Sequence, residues 1–251
     1  DLFKEALTAF EYAVLIDESF IGGYIEKAKT YEKLGEYEKA IENYLITLDL
    51  DDPTAFAYLK IGECYEKLMQ FETAISFYKK AVHEDPLLDR GWVLLTNLYF
   101  ILEEYQNASY YIGKALKIDE SNPLYWKRYA EINLKLNLFE EALEGYKKCL
   151  KLRDNSVEVF IAITDLQTFQ GRFKNAIETL LKAQRIYKDF AEIEYRLGGL
   201  FFFLGKETLG ISHIEKGLKI DKDYSIILKE LYPTVYDHKI IQELLHYYSK
   251  E

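Results

Sequence analysis

A spacing of 34 residues runs through this sequence and limits what it can fold into. Ala6, Ala40, Ala74, Ala108, Ala142, Ala176 and Gly210 form one series of small residues without slippage. Seven residues further on, on the same face of a helix, runs Ala13, Thr47, Ala81, Ala115, Cys149, Ala183, Gly217. Between the two series stand bulky Phe10, Tyr44, Tyr78, Ile112, Tyr146, Leu180 and Ile214. A third small series, Ala28, Gly62, Thr96, Ala130, Thr164, Gly198, marks the preceding helix and is followed by Tyr31, Tyr65, Tyr99, Asn133, Gln167, Phe201. Small residues at fixed positions let two helices approach closely, and a large neighbour one turn away fills the space beside them. Each unit is therefore expected to be a helical hairpin.

The punctuation agrees with that reading. Gly35, Gly171 and Gly205 fall at the turn inside a hairpin, where positive φ ends a helix. Asp52-Pro53, Asp85-Pro86 and Asn122-Pro123 mark breaks between units. Six full units are expected at 21–54, 55–88, 89–122, 123–156, 157–190 and 191–224. Residues 1–20 match only a second helix, so a first helix is expected upstream. In 225–251, Pro233 interrupts the first helix, and a second helix resumes after Asp237 as N-cap with Ile240, Ile241, Leu244, Leu245 and Tyr248 on one side. Thr234, Lys239, Gln242, Glu243 and His246 take the outer side. This segment reads either as a degenerate seventh repeat that caps the array or as a surface offered to another subunit.

With each unit numbered from place 1 to place 34, the pattern has a bulky residue at 4 (Tyr24, Tyr58, Trp92, Trp126, Phe160), a small one at 8 and an aromatic at 11. Gly at 15, Ala at 20 and 27, and a bulky residue at 24 complete it, and the whole resembles the tetratricopeptide repeat. The likeness covers nearly the entire chain. It implies an all-α fold, a right-handed α-α superhelix of stacked antiparallel hairpins. Repeat 6 departs, with Glu194 at place 4 and Gly210 and Gly217 where Ala is usual, so looser packing is expected there.

Composition narrows the function. The chain has 251 residues, 32 Lys and Arg against 42 Asp and Glu, and a net charge of −10. That balance argues against a nucleic-acid partner, because such binding rests on cations neutralising phosphates. The longest apolar run, near Leu200–Leu204, falls far short of the roughly 18–20 residues of a membrane span. Direct membrane insertion is not expected. Cys64 and Cys149, each within an apolar helical pattern, read as reduced buried thiols and favour a cytoplasmic location.

Motifs for chemistry are missing from the sequence. His83, His213, His238 and His246 have no metal-ligand spacing and read as solvent-facing residues. Leu197-Gly198-Gly199-Leu200 is a packing site and not a phosphate loop, while Glu103-Glu104 and Glu140-Glu141 suit the starts of second helices. No cofactor and no enzyme activity are expected.

Function is then sought on a surface. The resemblance implies that first helices line a concave groove, reached by places 2, 5, 9 and 12 and their neighbours. The candidate partner-binding residues are Arg90, Val93, Asn97, Phe100, Lys127, Arg128, Glu131, Ile161, Asp165, Tyr195, Arg196 and Phe202. Places 2, 5, 9 and 12 carry three basic and seven acidic residues, but places 6 and 13 add six basic and one acidic, which reverses the sign. No charge preference follows. Apolar place 5 either packs adjacent first helices or offers anchors, as do Phe100-Ile101, Phe169 and Phe202-Phe203. Arg90, Lys127, Arg128 and Arg196 are candidates for pairing with acidic ligand groups. The chaperone-type carboxylate clamp of this family is absent, since Lys127 is followed by Glu131 and repeat 5 has Ala162 at place 6. The expected role is a non-catalytic interaction module, a scaffold or adaptor holding a protein, helix or peptide in the groove. The alternative is self-assembly through the ends, as a homo-oligomer or against the rest of its own chain.

Overall fold

The computed structural model describes residues 2–51 and 54–249. The Asp52-Pro53 break lies outside them. Among the described residues the chain is all α, with no strand. It divides into two compact units, residues 1–138 and 139–251.

The first unit contains α1 (Leu2–Ile16), α2 (Ile21–Leu34), α3 (Tyr37–Leu50), α4 (Ala55–Lys67), α5 (Phe71–Glu84), α6 (Asp89–Ile101), α7 (Tyr105–Ile118) and α8 (Pro123–Lys135). Helices α2, α4 and α6 each pair with the next helix as an antiparallel hairpin and stack on the hairpin that follows. The cause is the small-residue register. Ala28, Ala40, Ala74 and Ala108 have no exposed surface, nor do Tyr44, Tyr78 and Ile112 beside them. A Cβ on Gly62 would come within 2.5 Å of the Tyr78 ring, so Gly at place 8 and Tyr at place 24 are one packing unit.

Every hairpin turn has the same geometry. The residue at place 15 is left-handed, and the N–H at place 16 donates to the carbonyl at place 11, a helix-ending double turn. Glycine supplies that conformation at Gly35, Gly171 and Gly205, whereas Met69, Glu103 and Asn137 adopt it with φ near 60°. The bonds Glu36 N–H to Tyr31 O at 2.9 Å and Gln70 N–H to Tyr65 O at 2.9 Å illustrate the repetition. Thr54 caps α4 by accepting from the Ala57 N–H, and Asn122 caps α8 by accepting from Leu124.

The second unit contains α9 (Phe139–Lys151), α10 (Val157–Phe169), α11 (Phe173–Ile186), α12 (Ala191–Phe203), α13 (Glu207–Ile220), a 3₁₀ turn (Asp223–Ser225), α14 (Ile226–Leu231), α15 (Pro233–Tyr236) and α16 (Lys239–Ser249). Pro233 does split the first helix of the last segment. The final helix starts after His238, one residue later than expected, because Asp237 closes α15 in helical conformation. Ile241 is fully buried and Leu244, Leu245 and Tyr248 pack on the core, while Ile240 stays exposed.

The expected loose packing of α12 on α13 is corrected. A Cβ on Gly198 would meet Ile214 at 2.5 Å, and one on Gly210 would lie 3.0 Å from the Gly198 carbonyl, so these helices touch backbone to backbone. Glu194 occupies the bulky place 4 as a buried polar group, accepting from Gln184 Nε2 at 2.5 Å and lying 2.6 Å from His213 Nδ1. Burial works against its charge, but these two partners prevail and hold the carboxyl below its ordinary value. His213 is therefore half-buried against its partner, contrary to the solvent-facing expectation, and stacks on Phe201. His238 packs edge-on against Phe202.

Candidate functional site

The side of α2, α4, α6 and α8 carrying places 2, 9 and 12 is half-exposed along its length, in contrast to the second helices' small-residue faces. A ladder of charge crosses three of these helices. Lys60 on α4 donates to Glu32 on α2 at 3.2 Å and to Glu63 on its own helix at 2.9 Å. Glu63 in turn binds Arg90 of α6. Tyr44 and Tyr78 reach up from the second helices and donate to Glu32 at 2.5 Å and Glu66 at 2.6 Å. Burial and these carboxylates push both phenols far above the ordinary tyrosine range, so they remain donors. A cavity of about 330 Å³ opens beside the ladder, lined by Glu32, Glu63, Glu66, Lys67, Arg90 and Leu94 among others. Burial pushes the thiol of Cys64, also on its wall, up to about 12.

Of the candidate residues in the first unit, Arg90 is exposed, and Val93, Asn97, Phe100, Lys127, Arg128 and Glu131 are half-buried. Arg128 donates to Glu131 at 2.9 Å and lies 4.9 Å from the Phe100 ring centre. Phe100 also meets Tyr105 edge-on. Place 5 is mixed, since Leu59 is buried while Val93 is not.

In the second unit Tyr195 and Arg196 are drawn inward, Ile161 and Phe202 are half-buried, and Asp165 stays exposed. Tyr195 has no exposed surface, and its hydroxyl donates to the Asp221 carbonyl at 2.8 Å. The expectation that it lines the groove is corrected. Gly217, lacking a side chain, leaves the space that its ring fills. Arg196, only 7% exposed, is bound by Asp165 and by Glu192 at 2.8 Å. Its burial opposes the charge, and the two carboxylates more than offset it. Ile161 and Phe202 pack against the core. Tyr232 lies over Gly199, and Tyr224 donates to Glu192 at 2.7 Å, so the last segment covers this face of α12.

The arginines proposed for acidic ligand groups thus already have carboxylate partners: Glu63 for Arg90, Glu131 for Arg128, and Asp165 and Glu192 for Arg196. What the candidate set missed is the ladder of Glu32, Lys60, Glu63 and Glu66 with Tyr44 and Tyr78. A sequence signal for it exists: Glu32 and Glu66 are each followed twelve residues later by a tyrosine. Among the described residues no three His, Cys, Asp or Glu side chains converge as a metal site, and no helix is long and apolar enough to cross a membrane.

Residues 25–88 match the profile of the family described as tetratricopeptide repeat. Among solved structures, the C-terminal part of a TPR repeat-containing protein from Cytophaga hutchinsonii is similar over 97% of this chain and 94% of its own, at 14% identity and TM-score 0.74. YrrB, described as a TPR protein with an unusual peptide-binding site, is 19% identical over 76% of this chain and all of its own, at TM-score 0.63. MamA is 21% identical over 61% of this chain and 89% of its own, at TM-score 0.57. No curated protein matches the sequence. At these identities the structural likeness speaks for the fold.

Proposed function

The chain is a tetratricopeptide-repeat protein, and from that premise we propose that it is a non-catalytic scaffold whose first-unit groove, on α2, α4, α6 and α8, holds a segment of a partner protein. The observation that carries this reading is the cavity beside the Glu32–Lys60–Glu63–Arg90 ladder, to which α6 contributes Arg90 and Leu94 and along which the same helix carries half-exposed Val93, Asn97 and Phe100. Ion pairs fix the groove side chains before a ligand arrives, which lowers the ordering cost of binding. The printed description of YrrB as peptide-binding supports the same reading. Units 21–54 to 191–224, with 225–251 as a degenerate last repeat, are part of the proposal, as is a reducing, cytoplasmic setting for buried Cys64. The test is affinity capture with the intact chain and with Asn97→Arg/Leu124→Asp, which alters two groove-side positions. Proteins held by the intact chain should be lost with the variant at an unchanged melting temperature; an identical set would refute the groove.

A second reading, an end that joins a second copy or packs on more of its own chain, rests on α1. Ala6 and Ala13 are partly exposed there, whereas Ala40 is fully buried, and Leu2, Leu15 and Ile16 are 81%, 73% and 86% exposed. Light scattering over a tenfold concentration range should show a rising mass if the end joins a second copy, and a constant monomer mass if it does not.

A further inference from the structure

The ladder repeats imperfectly, and the imperfection points to a ligand. Glu32 and Glu66 are equivalent, 34 residues apart, and each spends one oxygen on a buried tyrosine hydroxyl. The other oxygen of Glu32 is met by Lys60 from the next first helix. The residue equivalent to Lys60 one repeat later is Leu94, and among the described residues no ion pair to Glu66 is formed. Lys60 also binds Glu63, and the equivalent of Glu63 is the half-exposed Asn97. The ladder Glu32–Lys60–Glu63–Arg90 is neutral within itself, and Lys67, which also lines the cavity, forms no ion pair with Glu66 among the described residues, so Glu66 is the groove carboxylate without a cation on its free oxygen. Glu66 and Leu94 both line the cavity of about 330 Å³.

We propose that this cavity takes the side chain of a lysine or arginine from a partner segment, its cation on Glu66 and its aliphatic stem on Leu94. The inference rests on the groove reading above and adds the chemistry of what the groove selects. The chain displays the bound arrangement one repeat earlier, where Lys60 crosses between helices to a carboxylate held by a tyrosine. A long basic side chain suits both sides of the cavity, because its stem buries on an apolar wall while its head meets charge. A carboxylate partly withdrawn from water binds such a head through charge-assisted hydrogen bonds.

The test is selection of a random dodecapeptide display library on the full chain, with Glu66→Gln and Leu94→Lys in parallel. The expected result is that the wild-type chain enriches peptides carrying Lys or Arg at one fixed position. A synthetic peptide of that set should bind Glu66→Gln about tenfold to a hundredfold more weakly. Leu94→Lys, which supplies the missing cation from within, should show a similar loss with an intact helical spectrum. Replacing the basic peptide residue by norleucine should weaken binding to the wild type and leave binding to Glu66→Gln unchanged. Peptides that need the groove, as judged by loss on Asn97→Arg/Leu124→Asp, but carry no basic preference would overturn the Glu66 assignment alone. Peptides indifferent to that groove variant, or a library returning none, would count against the groove reading as well.

Discussion

The hairpin of α4 and α5 and the hairpin of α12 and α13 solve one packing problem in opposite ways. In the first, a tyrosine on the second helix, Tyr78, lies against Gly62 on the first. In the second, the aromatic bulk moves to the first helix and to the segment beyond it. Tyr195 fills the space over Gly217, Tyr232 fills the space over Gly199, and the second helix keeps Gly210 against Gly198. Close packing is kept while the rings change location, with Ile214 in the place of Tyr78. The functional result is that the first-unit groove keeps half-exposed side chains around a cavity, whereas the corresponding face of α12 is taken up by the chain's own last segment.

The most severe way to break this comparison is to remove a transplanted ring. Tyr195→Ala should cost about 3–5 kcal/mol, as truncation of a large buried aromatic does; urea unfolding showing a loss below about 1 kcal/mol would return Tyr195 to the surface. Adding a methyl where a ring already sits comes next. Gly199→Ala should cost about 1–3 kcal/mol through overlap with Tyr232. Gly113→Ala, in a helix with open space around it, should instead stabilise by up to about 1 kcal/mol. If both glycines respond alike, close packing is not what retains Gly199.

A pH measurement sharpens the contrast further. Glu194 is held below its ordinary 4.5, so its contribution to stability is present above that value and disappears as pH falls through the lowered folded value. Glu194→Gln should flatten the stability curve on the acid side, below about pH 4.5; an unchanged acid limb would remove His213 and Gln184 as the cause. The smallest effect concerns the turns. Met69→Gly should stabilise by about 0.5–1 kcal/mol, since Met69 adopts a left-handed conformation that costs a side chain more than it costs glycine. A lower melting temperature would contradict that.

How much of this was legible in the sequence differs by feature. Periodicity located the helices, because small residues at 34-residue spacing have no other common cause. Turn conformation was legible only where glycine stood; Met69 and Glu103 give no local signal, since the surrounding helices impose the angle. Tyr195 was misplaced because place 5 usually points outward, and the room that draws it inward is created 22 residues later by Gly217. His213 was misplaced for the same kind of reason, since its partner Glu194 lies on the other helix of the hairpin. In the candidate site the ladder residues could be counted in the groove, but their pairing could not be read, because Lys60 and Glu32 meet across 28 residues of chain.

The most direct test of the central claim is photo-crosslinking in the source cell, with a benzophenone amino acid placed at Asn97 on α6 or at exposed Glu72 on α5. The account predicts adducts to a second, different polypeptide from position 97 and none from position 72. Adducts from position 72 alone, equal adducts from both, or adducts from position 97 only to another copy of this chain would contradict a groove that holds a partner protein.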